Sequence, residues 1–99
     1  MSYDLKIRQE ASKEFSNAFA WYEEQQQGLG ATFANAIQRK LNQITRYPYH
    51  YKADYNQYHQ AVIEKFPFLI VYTIDEKLKQ INVMAIFHTS RNPDRKFRK

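Results

Sequence analysis

The sequence predicts a single α+β domain in two layers, in which a helical hairpin packs on an antiparallel sheet. Three observations support this prediction. The chain has 99 residues, enough for one hydrophobic core and one domain over residues 1–99. Apolar residues recur with a helical period in the first half of the chain, and segments typical of strands lie before and after them. The chain has only 2 glycines and 3 prolines, which favours a few long elements. The predicted order is β-α-α-β-β-β.

The first two elements are a strand and a helix. Residues 3–8 alternate apolar with charged side chains, which indicates a half-buried strand near a sheet edge. The next apolar residues share one helical face and predict a helix from about residue 11 to 26: Ala11, Phe15, Ala18, Phe19 and Tyr22. Ser12 is the expected N-cap of this helix.

A second helix follows a glycine loop. The apolar residues along one face of each helix form a stripe. Gly28 and Gly30 interrupt the first stripe, and Pro48 ends the second, because proline cannot continue a helix. The second stripe has spacings of three and four residues: Leu29, Phe33, Ile37, Leu41 and Ile44. Two helices joined by so short a loop fold back on each other as an antiparallel hairpin.

Three strands complete the predicted fold. They cover residues 59–66, 68–74 and 81–88, with a polar turn at 75–77. We expect the helical stripes to pack on Ile70, Tyr72, Val83 and Ala85. The last two strands are apolar on both faces, so the face away from the helices is expected to be exposed unless something covers it. A partner protein or the basic C-terminal tail could cover this face of the sheet.

Composition and charge exclude several classes of protein. Cysteine is absent, which excludes disulfides and thiolate metal sites. The apolar run at residues 66–72 is too short to span a bilayer, and no signal peptide opens the chain, so we expect a cytoplasmic protein without membrane contact. His50, His59 and His88 lack the spacing of metal ligands, and neither a metal nor another cofactor is expected. Most of the net charge of +5 lies in the last nine residues.

Five short motifs occur in a characteristic order. They are Trp21-Tyr22-Glu23-Glu24, Gly28-Leu29-Gly30-x-x-Phe33, Leu41-x-x-Ile44-x-x-x-Pro48, Phe66-Pro67-Phe68-x-Ile70-x-Tyr72 and His88-x-x-Arg91-x-Pro93. From about residue 3 to 96 the chain thereby resembles the RelE/ParE toxin superfamily, which includes plasmid stabilisation proteins. The last motif resembles the ParE-like branch. The resemblance implies the same β-α-α-β-β-β fold as the periodicity does.

The resemblance also implies a function. Its members are toxins of bacterial type II toxin–antitoxin systems, each neutralised by a small antitoxin whose C-terminal segment wraps the toxin. One branch poisons DNA gyrase, and the other cleaves mRNA on the ribosome. We expect a gyrase-type toxin, with a ribosome-dependent endoribonuclease as the alternative and a non-toxic small binding module as a further one. The sequence leaves a homodimer open.

An endoribonuclease of this type needs an acid, a base and positive charge, because the 2′-hydroxyl of the substrate is the nucleophile. The candidate catalytic residues are His88, Arg91 and Lys65. The candidate residues for binding a target or nucleic acid are Lys52, His59, Arg95 and Arg98. Alternatively, His88 and Arg91 form a structural corner.

One departure from the family pattern bears on this choice. The family usually carries arginine about seven residues before its Phe-Pro pair, where this chain has His59 and Gln60. Lys65 is the remaining cation on the predicted strand, which favours the non-nuclease interpretation. Tyrosines between residues 47 and 58 either stack on bases or seal the loop against the helices, and we favour the second.

Overall fold

Two helices pack on one face of a four-stranded sheet in a computed structural model that describes residues 3–54 and 56–89. In chain order the elements are β1 (Asp4–Ile7), α1 (Gln9–Gln25), α2 (Leu29–Arg46), β2 (His59–Val62), β3 (Phe68–Asp75) and β4 (Gln80–His88). The predicted α+β class and the order β-α-α-β-β-β are therefore confirmed.

The sheet is mixed, whereas the sequence predicted an antiparallel one. Its strand order is β1-β4-β3-β2. Strands β2, β3 and β4 form an antiparallel meander, and β1 pairs in parallel with β4. The parallel pair arises because β4 is the last strand of the meander and runs in the same direction as β1. The helical hairpin provides the long connection between β1 and the meander.

Helix α1 begins earlier than its predicted N-cap. The N-cap position is Arg8, which has an extended backbone and no side-chain capping hydrogen bond. Ser12 already lies inside the helix, where its N–H donates to the Arg8 carbonyl at 2.9 Å. The prediction of Ser12 as the cap was therefore wrong, because the chain turns from β1 into the helix without a connecting loop.

A carboxylate from α1 caps the start of α2. Gly28 is the N-cap of α2 with φ 89° and offers no side chain for the purpose. Glu23 instead accepts the N–H groups of Gly28 at 2.9 Å and Gly30 at 3.0 Å. These are two of the backbone donors that a helix leaves unsatisfied at its N-terminus, and a negative charge is stabilised there.

The main core lies between the helices and the sheet. Phe33, Ile37 and Ile44 from α2 are buried against Ile70 and Tyr72 of β3, as the apolar stripe predicted. The predicted contact with Ala85 was wrong. A register shift in the β3–β4 ladder leaves Met84 without an opposite residue on β3, so the side-chain alternation along β4 changes there. Ala85 consequently faces away from the helices.

The second face of the sheet carries its own small apolar cluster. Its buried members are Leu69, Val71, Ala85 and Phe87, and each is at most 8% exposed. Tyr58 and Met84 pack against them. These residues are thus buried without a partner chain. The basic tail, the other candidate cover, lies outside the described residues.

Glu76 joins three segments at the end of the sheet opposite the β2–β3 turn. Its carboxylate accepts the Lys79 ammonium at 2.8 Å and the Tyr3 hydroxyl at 2.9 Å, together with the Tyr49 hydroxyl. The hydrogen bonds from Lys79, Tyr49 and Tyr3, in that order of size, lower the pKa of Glu76 to about 2. The carboxylate therefore ties the start of β1 and the loop after α2 to the β3–β4 turn.

Glu76 predicts a specific acid dependence of stability. Its folded pKa lies below the usual value of 4.5, so the ionised carboxylate contributes stability above that pH and loses it as the pH falls towards 2. We expect Glu76→Gln to flatten the fall in melting temperature between about pH 5 and 2 relative to the wild type. Glu24→Gln, an exposed change on α1, is the matched control. An unchanged slope for Glu76→Gln would contradict the proposed role.

Candidate functional site

A cleft of about 470 Å³ opens between α1 and the sheet. Its described lining residues come from one face of α1 and from the adjoining ends of β3 and β4: Glu14, Asn17, Ala18, Trp21, Tyr22, Phe68, Ile86 and His88. The α1 residues are spaced at three and four positions, so a single helical face supplies that wall. Aromatic and aliphatic side chains form most of the surface, with Glu14, Asn17 and His88 as the polar groups.

The cleft lies beside the part of β4 that extends past its pairing with β1. The β1–β4 pairing ends at Ile7 opposite Val83, whereas β4 continues to His88. Beyond Val83 no described strand pairs with β4 on this side. There the Ile86 N–H donates to the Glu14 carboxylate at 3.1 Å. A side chain from α1 thus satisfies a backbone donor that a neighbouring strand would otherwise pair with.

His88 lies in this cleft, at the end of β4. It is half-buried, and its ring makes an edge contact with Phe68 at a centroid distance of 5.0 Å. The next residue, Thr89, donates its backbone N–H to the Pro67 carbonyl at 2.8 Å. These contacts join the end of β4 to the start of β3, and the structural corner of His88 with Arg91 stays a prediction. Arg91 lies outside the described residues.

Lys65 lies at the same end of the sheet, in the turn between β2 and β3. The sequence placed it on a strand, but β2 ends at Val62, so that placement was wrong. Its backbone has φ 70°, a left-handed conformation that few residues other than glycine adopt. The side chain is exposed and is not among the described residues that line the cleft.

Two of the four predicted binding residues, Lys52 and His59, lie in the described part of the chain. Lys52 is exposed in the loop that precedes β2. His59 is only 8% exposed, with its ring stacked on Tyr72 at 5.0 Å and its Nδ1 2.7 Å from the Tyr51 carbonyl oxygen. These contacts give His59 a place in the packing of the sheet and the loop, and its role in binding stays a prediction. Arg95 and Arg98 lie outside the described residues.

Register separates His59 and Lys52 from the cleft. His59 pairs with Tyr72, whereas His88 pairs with Phe68 four residues away along β3. That spacing corresponds to roughly 13 Å along the strand, at about 3.3 Å per residue. The structure thus brings His88 and Lys65 to one end of the sheet and leaves Lys52 elsewhere.

The tyrosine-rich segment after α2 is partly buried and partly exposed. The Tyr51 hydroxyl lies 3.2 Å from the Lys40 ammonium and 3.3 Å from the Gln43 side-chain oxygen, so this ring seals the loop against α2. Tyr47 and Tyr49 remain 64% and 59% exposed. Sealing of the loop is confirmed at Tyr51 but not at Tyr47.

Sequence reasoning missed Glu14, Asn17 and Trp21 as members of the cleft. Part of the signal was present, because Trp21 is a large aromatic side chain beside the apolar stripe of α1, whereas its 56% exposure is visible only in the structure. Glu14 and Asn17 lie seven and four residues before it and share its side of the helix. Which strand end faced them could not be read from that spacing.

Metal and membrane sites were also sought in the described part of the chain. Residues 3–54 and 56–89 bring together no group of three or more His, Asp or Glu side chains that could hold a metal ion. Neither described helix combines the length and the apolar character that crossing a membrane requires.

Comparison with known proteins identifies relatives of the whole fold. The sequence matches the family described as the ParE toxin of the type II toxin–antitoxin system parDE over residues 5–93. No curated protein sequence matches the chain. The chromosomal ParDE toxin–antitoxin system of P. aeruginosa has a similar structure, with a TM-score of 0.77 and 12% identity over 90% of this chain and 98% of that one.

Two structures from E. coli are similar as well. The intact RelBE toxin–antitoxin complex gives a TM-score of 0.70 and 17% identity over 91% of this chain and 100% of that one. The isolated RelE toxin gives a TM-score of 0.67 and 15% identity over 96% of this chain and 93% of that one. At these identities the likeness shows the fold, and the family match covers most of the chain. This protein therefore belongs to the ParE toxin family of type II toxin–antitoxin systems.

Proposed function

We propose that this protein acts as a toxin by binding a protein target such as DNA gyrase, in the cytoplasm, and that a cognate antitoxin neutralises it. The family match to ParE toxins supports the class of activity. The solved ParDE and RelBE neighbours are toxin–antitoxin systems, which supports an antitoxin as partner. The choice of a protein target over mRNA depends on the chemistry of the cleft.

The described lining of the cleft suits a protein better than a phosphodiester. Cleavage of RNA requires positive charge where the phosphorane develops. Glu14, a described lining residue, is a carboxylate and does not supply that charge. Trp21 and Phe68 offer aromatic surface, which is typical of protein–protein contacts, and Trp21 is 56% exposed. This exposed aromatic surface is the observation that carries the proposal.

The endoribonuclease remains the second candidate because His88 lies in the cleft. An imidazole is the side chain best suited to proton transfer near neutral pH. Lys65 at the same end of the sheet is a source of positive charge, although it is not one of the described lining residues. A non-toxic binding module is the remaining alternative.

His88→Gln separates these candidates. If His88 only fixes the end of β4, the substitution removes its ring contact with Phe68 and lowers stability by about 1 kcal/mol, with no cleavage activity to lose. If His88 is a catalytic acid or base, codon-directed cleavage falls by roughly 10²–10⁴-fold while the melting temperature stays unchanged. We expect the first result.

The assay pairs a ribosome-programmed mRNA cleavage reaction with a gyrase supercoiling reaction on one wild-type preparation. Inhibited supercoiling without cleavage is the outcome we expect. Cleavage at defined codons that His88→Gln abolishes would overturn the proposal in favour of the endoribonuclease. Inactivity in both reactions would favour the non-toxic module. We expect the gene immediately beside this one to encode the antitoxin. Adding its product should therefore restore supercoiling.

A further inference from the structure

No described strand pairs with the outer edge of β1. This strand is the outermost one in the order β1-β4-β3-β2, and all four of its residues are exposed. On its inner side, the N–H groups of Asp4 and Arg8 donate to carbonyls on the β4 side at 2.9 and 3.0 Å. Backbone groups alternate between the two sides of a strand, so those of Leu5 and Ile7 point towards the open edge. An edge of this kind can pair with another strand.

The open edge of β1 has a defined length. Before it, the Tyr3 N–H donates to the Thr45 carbonyl at the end of α2 at 3.0 Å, so that donor is already satisfied. After it, β1 ends at Ile7 and α1 begins at Gln9. An added strand can therefore pair only between Asp4 and Ile7, which makes the contact short.

The side chains of β1 divide between the two faces of the sheet. Leu5 and Ile7 lie beside two core residues of β4 and extend the apolar layer under the helices to the sheet edge, where they are 37% and 41% exposed. Asp4 and Lys6 lie on the other face. The salt bridges found among the described residues involve neither of them. The strand therefore carries apolar surface on one face and one charge of each sign on the other.

This charge pattern is complementary to itself. When two copies of β1 pair antiparallel about a two-fold axis at Leu5, Asp4 of each copy lies opposite Lys6 of the other. These positions form non-hydrogen-bonded pairs, in which opposite side chains approach most closely. An axis at Lys6 would instead place two ammonium groups opposite each other, which is unfavourable. Charge thus selects the register centred on Leu5.

We propose that a second copy of this chain pairs with β1 in the register centred on Leu5 and joins the two sheets edge to edge. The net charge of +5 does not oppose this contact locally, because most of it lies in the last nine residues and β1 carries one Asp and one Lys. Since the paired segment is short, the dimer is weak, and its population rises with protein concentration. Salt weakens it by screening the charge pairs. The inference goes beyond the proposed function and does not depend on the target.

Reversing the two charges of β1 tests the register. Sedimentation equilibrium over a range of concentrations gives the dimer dissociation constant of the wild type. Asp4→Lys should raise it by about tenfold or more, because both cross-strand pairs then bring two lysines together. Lys6→Asp should have the same effect through paired carboxylates.

Two rescue experiments follow from the same symmetry. The double variant Asp4→Lys/Lys6→Asp restores opposite charges in both pairs and should regain the wild-type dissociation constant. An equimolar mixture of the two single variants should form a heterodimer, because lysines of one chain then meet carboxylates of the other. With the axis at Lys6, the double variant would place two carboxylates at the axis and would not be rescued.

Control variants separate association from folding. Lys13→Asp makes the same charge change at an exposed position on α1 and should leave the dissociation constant unaltered. Each variant is required to keep the wild-type melting temperature at a concentration where it is monomeric. Leu5→Lys places two lysines at the axis and should also weaken the dimer, so it serves if a charge reversal does not fold.

Three results would overturn the inference. The first is a wild type that stays monomeric up to its solubility limit. The second is a double variant that associates no better than the single ones, since the contact would then have another register or another surface. The third is association that appears only after the product of the adjacent gene is added, because a different chain would then occupy the edge. The supercoiling assay is independent of these results, so the proposed function is judged separately.

Discussion

Phe33→Ala should lower the free energy of unfolding by about 3–5 kcal/mol, the range measured for removing a buried phenyl ring. Phe33 is fully buried at the junction of both helices and the sheet. Its ring packs on Phe15 of α1 at a centroid distance of 5.7 Å and on Phe68 of β3 at 5.1 Å. The rings of Tyr22 and Phe66, at centroid distances of 5.1 and 5.3 Å from that of Phe33, complete an aromatic cage around it.

The loss is large because the aromatic rings around Phe33 cannot move to fill the cavity that its removal leaves. Alanine would leave a cavity bounded by rigid aromatic side chains, which cannot collapse into it as flexible ones could. A domain of this size has a total stability of roughly 5–15 kcal/mol, so the substitution removes a substantial share of it. Phe33 also links the two helices to the sheet, so its removal weakens both interfaces together.

Urea unfolding followed by circular dichroism measures the effect. Phe33→Leu is the matched control, since it retains much of the side-chain volume and should cost clearly less than alanine. Tyr47→Ala removes an aromatic ring that is 64% exposed and should change stability by no more than about 0.5 kcal/mol. A loss below about 1 kcal/mol for Phe33→Ala would show that the aromatic cage is not packed as described.

Gly30→Ala is the second substitution with a large expected effect. A Cβ atom at Gly30 would lie 2.9 Å from the Phe19 carbonyl oxygen and 2.8 Å from Glu23 Oε1. The first contact is with the backbone of α1, so it can be relieved only by moving the helices apart. The second displaces the carboxylate that caps α2. We expect a loss of about 1–3 kcal/mol, the usual cost of overpacking.

The sign of this effect is informative, because helix propensity predicts the opposite. Alanine inside a helix is favoured over glycine by about 1 kcal/mol. Gly28→Asn separates backbone strain from crowding: a Cβ there meets nothing within 4 Å, so any loss comes from the φ of 89°, which asparagine adopts more readily than most residues. Thermal unfolding should therefore show a larger loss for Gly30→Ala than for Gly28→Asn. Stabilisation by Gly30→Ala would disprove the close approach of α1 and α2.

The cleft and the core depend on each other through α1. Tyr22 packs on Phe33 and Phe68 in the core and also lines the cleft, while Trp21 beside it faces outwards. A change that shifts α1, such as Gly30→Ala, should therefore alter the cleft as well as the stability. Variants used to test binding must for that reason be shown to retain the wild-type melting temperature.

Periodicity was sufficient to predict the elements and the helical face of the core. The stripe containing Phe33 and Ile37 was correct, because helical spacing and burial are both properties of neighbouring residues along the chain. Gly28 and Pro48 marked the limits of α2 for similarly local reasons. The order and spacing of the five motifs, from Trp21 to Pro93, were together enough to suggest the family that the comparison then showed.

Local pattern could not reveal which segments meet. The close approach at Gly30 depends on how α1 crosses α2, and the burial of His59 depends on its pairing with Tyr72. The register shift opposite Met84, which turns Ala85 away from the helices, is set by the whole β3–β4 ladder. Each of these features is a contact between distant segments, and the sequence pattern of one segment does not encode its partner.

The sequence by itself determined the α+β class, the element order, the helical core face and the resemblance to the toxin superfamily, because these follow from local spacing and residue chemistry. Only the tertiary structure decided where the candidate site lies. It placed Glu14 against Ile86, 72 residues away, and ended β1 before it could cover that part of β4. Strand register and helix packing set those distances, because they emerge only when all the elements bury their apolar faces together.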